Sequence, residues 1–182
     1  MKPSHRLSRR LLALLLSAAA LAIAWHAGLP ERADYTGQII AGLRVAPEVR
    51  AYAPPLRVVG LDGSLIDSAS LPRPLLLNFW ATWCEPCERE MPNLQQIHDE
   101  GLAYVLIVNQ AETAGVVRAW MARHGVGLPV GLDDGQATRL YRVTGLPTSF
   151  IVAPDGRIGT IFYGAADAER LRAALTPYCA IP

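Results

Sequence analysis

The chain has 182 residues, 51% of them hydrophobic and 18% charged, with a net charge of +1. That length holds one ordinary domain and a tail rather than two domains, and with no basic run beyond the first ten residues nucleic-acid binding has no electrostatic support. Three cysteines cannot build a disulfide scaffold: Cys84 and Cys87 stand three apart and Cys179 lies far away, the arithmetic of one chemically active pair and a spare thiol.

Residues 1–29 read as a targeting segment. Lys2, Arg6, Arg9 and Arg10 form a basic head, and from Leu11 to Leu29 there is no Asp, Glu, Lys or Arg. A spanning helix needs about 20 apolar residues, and Trp25 suits the interface at the outer end. The positive-inside tendency puts the head in the cytoplasm and the rest of the chain outside, on the periplasmic side. A cleaved signal peptide is the alternative, since Ala22-Ile23-Ala24 has the small-x-small form of a cleavage site; the apolar run, longer than a usual signal core, favours a retained signal-anchor. In both cases the domain leaves the cytoplasm.

Residues 30–52 mix Pro, Gly, Ala and isolated charges without a clear period and read as a stalk, so the folded domain is expected over 53–182. Leu56–Val59 and Leu65-Ile66 form a hairpin around Asp62-Gly63. Leu75–Trp80 is a continuous apolar run, as a central parallel strand requires. A helix follows from Cys84–Pro86 to about Glu100, with Met91, Leu94 and Ile97 at helical spacing. Ala103–Val108 is a second buried strand, and Thr113–His124 a helix with Val116, Val117, Trp120 and Met121 on one stripe. Leu128-Pro129-Val130 is short and extended, and Gln136–Arg142 is helical. Ser149–Val152, the Pro154-Asp155-Gly156 turn and Arg157–Tyr163 make a hairpin, and Ala166–Leu175 is the closing helix, with Cys179 beyond it. This order describes an α/β domain with a central mixed β-sheet flanked by helices.

The chemistry is concentrated in Trp83-Cys84-Glu85-Pro86-Cys87. Cysteines at i and i+3 on the first turn of a helix can close a disulfide, and the free N–H groups there favour thiolate at the first sulfur. Cys84 is expected as the exposed nucleophile and Cys87, one turn in, as the more buried resolving thiol. Pro86 falls in the opening turn, where proline is tolerated. A half-zinc site or a structural disulfide are the alternatives. Zinc usually takes four ligands, and neither a second cysteine pair nor a nearby histidine is available in sequence, so no metal and no cofactor is expected.

Asn78–Cys87 followed by Glu88-Arg89-Glu90-Met91-Pro92 resembles the TlpA/ResA branch of the thioredoxin superfamily. Gly145–Phe150 is similar to the second hallmark of that branch, and the Pro154–Ile158 hairpin fits as well. The resemblance spans roughly residues 53 to 176 and implies a thioredoxin-like fold. It also implies a thiol–disulfide oxidoreductase, and the Cys-Glu-Pro-Cys tetrad points to membrane-anchored reductases of cytochrome c maturation. Position by position, it implies that Pro147 is a cis proline beside Cys84 and that Pro92 kinks the first helix. Trp83, Glu85, Pro86, Pro147 and Thr148 are implied as residues that bind the client or tune the sulfurs. The partners implied are disulfide-containing clients, apocytochrome c among them, and a membrane electron donor of thiol-transfer type.

Asn78 stands where thioredoxin itself has a buried aspartate, and an amide cannot hold a proton for the cysteines. Glu90, three residues beyond Cys87 and on its helical face, can; the alternative is a solvated helix carboxylate. With Cys84 and Cys87 it completes the expected catalytic set, and its pKa is expected to be raised by desolvation and by thiolate repulsion. Competing readings of the same pair are a disulfide oxidase or isomerase and a copper-handling assembly module. The four histidines carry no metal or nucleophile pattern.

Overall fold

The structure, a computed structural model, describes residues 38–40, 43–45 and 48–179. The predicted signal-anchor, residues 1–29, lies outside them. Within the segment read as a stalk, β1 (Gln38–Ile40) and β2 (Leu43–Val45) pair antiparallel, Gln38 opposite Val45. The β-branched Ile39, Ile40 and Val45 favour that extended backbone. Hydrogen bonding into the main sheet also starts before residue 53: Arg50 N donates to Ile158 O at 2.7 Å, Ile158 N to Ala51 O at 2.8 Å, and Ala53 N to Gly156 O at 2.9 Å.

The main sheet has seven strands in the order β4-β3-β7-β6-β5-β8-β9. In chain order they are β3 (Arg57–Gly60), β4 (Leu65–Asp67), β5 (Leu75–Trp80), β6 (Tyr104–Gln110), β7 (Val130–Asp133), β8 (Thr148–Val152) and β9 (Ile158–Tyr163). Among the described residues, α1 (Glu85–Asp99), α2 (Ala114–His124) and α3 (Gln136–Leu140) connect strands, and α4 (Ala168–Cys179) follows β9. Strands β5, β6 and β7 run parallel, while β3 is antiparallel to β7 and β8 to both β5 and β9. The sheet is mixed, as expected, but β5 is parallel to one neighbour only, and β6 is the strand flanked by parallel partners on both sides.

All six residues of β5 are buried, because helices cover both faces of the strand. Leu76 and Trp80 face one core, with Met91, Leu94 and Ile97 of α1, Trp120 of α2 and Leu171 of α4. Leu75, Leu77 and Phe79 face the other, with Leu56, Tyr141 and Phe150. The alternation along β5 thus supplies both sides of a three-layer α/β domain.

Several boundaries differ from the sequence expectation, among them β7, expected over Leu128–Val130 and found at Val130–Asp133, and three at helix ends have a local reason. The last helix starts at Ala168 instead of Ala166 because Asp167 Oδ1 accepts from Arg170 N at 2.8 Å, making Asp167 the cap. It continues past Leu175 and Pro177 to Cys179, so that cysteine ends the helix instead of following it. Helix α3 stops at Leu140, two residues early, since Arg142 has left-handed backbone (φ 49°). On α2, Val117, Trp120 and Met121 are buried, but Val116 is 49% exposed and does not belong to the stripe.

Candidate active site

Cys84 and Cys87 form a disulfide, with Cα atoms 5.2 Å apart. The local sequence explains why. Strand β5 ends at the buried Trp80, the chain turns through Ala81–Trp83, and Cys84 N donates back to Ala81 O at 3.2 Å. Cys84 is then the N-cap of α1, with extended backbone, and its Sγ accepts from Cys87 N at 3.3 Å. A helix-terminal N–H therefore points at the first sulfur and favours negative charge there. Pro86 sits in the first turn, where its missing N–H costs nothing.

The expectation of an exposed Cys84 is corrected: it is 5% exposed, against 0% for Cys87. The order of burial is as predicted, and Cys84 lines a groove of about 570 Å³ with little of its own surface exposed. Trp83, Glu85, Pro86, Gln110 and the Val143–Leu146 loop line the same groove. Trp83 is 71% exposed, an aromatic with a free face beside the sulfur. Glu85 is exposed and pairs with Arg89 one turn on.

The Leu146–Pro147 peptide bond is cis. A second cis bond, Arg73–Pro74, was not expected. Pro147 and Thr148 are buried behind the loop, and Thr148 Oγ1 donates to Gly145 O at 2.7 Å. Thr148 thus secures the loop from behind, and the residues lining the groove are Val143 to Leu146.

Glu90 is not a solvated helix carboxylate. It is 1% exposed, one turn after Cys87 on α1. Its Oε1 accepts from Ala166 N and its Oε2 from Asn78 Nδ2, both at 2.9 Å. Burial lifts its pKa from the ordinary 4.5 to about 7, against the opposing effect of those two hydrogen bonds. Thiolate repulsion is not among the causes, because both sulfurs are in the disulfide; desolvation alone suffices. Asn78 Nδ2 also donates to Ser149 Oγ at 2.9 Å, across the register that sets Asn78 opposite Ser149 in β5–β8. The asparagine holds no proton, yet it anchors the carboxylate that can.

Sequence reasoning missed Ser149 in this role, and it missed Glu112, whose carboxylate binds Thr82. Their partners are 71 and 30 residues away in the chain, so neither has a local spacing that reveals it. Cys179, exposed and free at the end of α4, donates to Leu175 O at 3.4 Å, one helical turn back.

A dithiol–disulfide couple at a helix start, lining a groove and backed by a buried carboxyl, can exchange disulfides with an extended client. Known proteins agree with that chemistry. The AhpC/TSA family matches residues 49–161. The thiol–disulfide oxidoreductase ResA of Bacillus thuringiensis is 32% identical over 134 residues, covering 70% of this chain and 77% of its own length. ResA of Geobacillus thermodenitrificans is 31% identical over 179 residues, covering 94% and 95%. Among solved structures, a thiol:disulfide interchange protein of the thioredoxin family from Chlorobium tepidum superposes with a TM-score of 0.64 at 25% identity, covering 74% of this chain and all of the other. This chain is a thiol–disulfide oxidoreductase and belongs to the AhpC/TSA family of the thioredoxin superfamily, on its ResA-like side.

Proposed function

We propose that the protein works as a reductase of protein disulfides, with Cys84 as the attacking sulfur, Cys87 as the resolving sulfur and Glu90 as the group that takes and returns the proton of Cys87. The Cys84 thiolate attacks one sulfur of the client disulfide, forming a mixed disulfide and releasing the other client sulfur as thiolate. Glu90 accepts the Cys87 proton, and the Cys87 thiolate attacks Cys84, freeing the second client sulfur. Two electrons pass to the client, its two thiolates take up the proton that Glu90 returns and one from solvent, and the Cys84–Cys87 disulfide remains. A thiol-transfer donor in the membrane returns the pair to the dithiol.

The observation that carries the reductive direction is the acidic character of α1 around the pair. Glu85 and Glu88 occupy its first turn, and Glu90 is buried one turn behind Cys87. Strong oxidants of this fold stabilise the thiolate at the first cysteine and so favour the dithiol; carboxylates around the sulfurs act in the opposite sense and make the dithiol the better electron donor. Trp83, Glu85, Pro86 and the loop held by Pro147 and Thr148 receive the client. Apocytochrome c is the client class implied by the tetrad, and the predicted anchor over residues 11–29 places the domain outside the cytoplasm, on the periplasmic side. Among the described residues no helix is long and apolar enough to cross a membrane.

The test is redox equilibration of the protein against glutathione. The potential is expected nearer the value of about −270 mV of thioredoxin than the value of about −120 mV of the strongest oxidant of this fold. Glu85→His, which replaces a negative group beside Cys84, should make the protein more oxidising. A wild-type potential close to the oxidant's would overturn the reductive direction.

A further inference from the structure

The turn that carries Trp83 and Cys84 is gripped by a residue outside both cysteine and proline motifs. Glu112 follows β6 by two residues. Its Oε2 accepts from Thr82 N at 2.7 Å and from Asn109 Nδ2 at 2.8 Å, and its Oε1 accepts from Thr82 Oγ1 at 2.5 Å. Asn109 is fully buried near the end of β6, directly opposite Trp80, the last residue of β5. The grip thus joins the ends of two adjacent parallel strands, the edge of an α/β sheet where ligands are usually bound.

The intervening Ala111 has φ of 58°, a left-handed conformation uncommon for a residue with a side chain. Its N–H donates to Asp133 O at 3.0 Å. An alanine persists there only where the surroundings over-determine the turn, and this turn delivers Glu112 to Thr82. Gln110 of the same segment lines the groove over Cys84. Trp83 has little packing of its own to orient it, so its direction depends on the backbone that Thr82 fixes.

We propose that Glu112 is a positioning residue of the exchange reaction: it locks the Thr82–Cys84 turn so that Trp83 and the Cys84 sulfur face the client groove before the client arrives. Partial burial acts to raise its pKa, but the bonds from Thr82 and Asn109 outweigh that and hold it below the ordinary carboxylate value, so the grip stays charged at neutral pH. A loop already ordered in its binding conformation spares the client that ordering cost, and the effect belongs in client binding more than in sulfur chemistry. The inference rests on Cys84 being the attacking sulfur.

The experiment measures steady-state reduction of a disulfide-bonded peptide by the full-length protein, with a small dithiol as reductant, alongside alkylation of Cys84 by iodoacetamide. Ordering a loosened side chain on binding weakens affinity by up to about tenfold, so Glu112→Ala is expected to raise KM several-fold, up to about tenfold, while kcat and the alkylation rate change much less. Thr82→Val, which removes the hydroxyl and keeps the backbone donor, should raise KM by a smaller factor, and Thr82→Ser should restore it. An unchanged KM in folded Glu112→Ala overturns the proposal. If that variant does not fold, Thr82→Val decides, and a wild-type KM there overturns it equally. A Cys84→Ser protein that still reduced the peptide would refute the assignment of the attacking sulfur, whatever Glu112 does.

Discussion

Glu90 shows how one carboxyl links stability to pH. Its pKa rises from 4.5 to about 7 on folding, so the folded state holds a proton that the unfolded chain has released between those values. Its contribution is fully present below pH 4.5 and is lost as pH rises through about 7. A shift of that size corresponds to about 3 kcal/mol. Urea unfolding of the oxidised protein should therefore show wild type losing roughly that much more stability than Glu90→Gln between acid and mildly alkaline pH. Equal pH slopes for the two proteins would mean that Glu90 is not buried as the structure has it. Gln keeps an acceptor for Ala166 N, and its new amide requires Asn78 to turn its oxygen toward it. In the reduced protein the same substitution should shift the pH profile of thiol reactivity, because the proton acceptor behind Cys87 is gone.

At the scale of elements, the join between β3 and β7 depends on a close approach. Gly131 of β7 stands opposite Gly60 of β3, and a Cβ added at Gly131 would meet Val58 Cγ2 at 2.2 Å and its Cβ at 2.9 Å. Val58 is buried and β-branched, with few ways to turn aside. Gly131→Ala should cost about 1–3 kcal/mol by overpacking, read as a lower urea midpoint with an unchanged slope; an unchanged midpoint would show that β3 moves away freely. The element carrying the chemistry, α1, was largely legible in the sequence. Its helical spacing and its start at the cysteines are local properties. The destination of its polar side chains was not local, since Glu90 finds Asn78 on β5 and Ala166 ahead of α4.

For the molecule as a whole, the redox state of a four-residue loop is coupled to global stability. Closing so short a loop removes little chain entropy, about 2 kcal/mol by loop-closure estimates. For a reductase the disulfide form must also be the more stable folded form, because the potential and the stability difference are two legs of one cycle. The reduced protein is therefore expected to unfold at lower urea than the oxidised protein, by about 2 kcal/mol or more. A reduced form more stable than the oxidised one would place the protein with the oxidants. Cys179→Ser should leave this difference intact, since that thiol stands apart from the pair.

The sequence by itself determined the α/β order, the buried β5, the start of α1 at the cysteines and the order of burial of the two sulfurs. All of these follow from periodicity, capping and helix-start chemistry within a few residues. Only the tertiary structure decided how deep Cys84 lies, that Thr148 holds its loop through Gly145 O, that Glu90 is buried against Asn78 and Ala166, and that Glu112 holds Thr82. Each depends on strands and helices distant in sequence meeting at the ends of β5, β6 and β8. The burial that lifts the Glu90 pKa and the three bonds that lower that of Glu112 arise only when those elements pack.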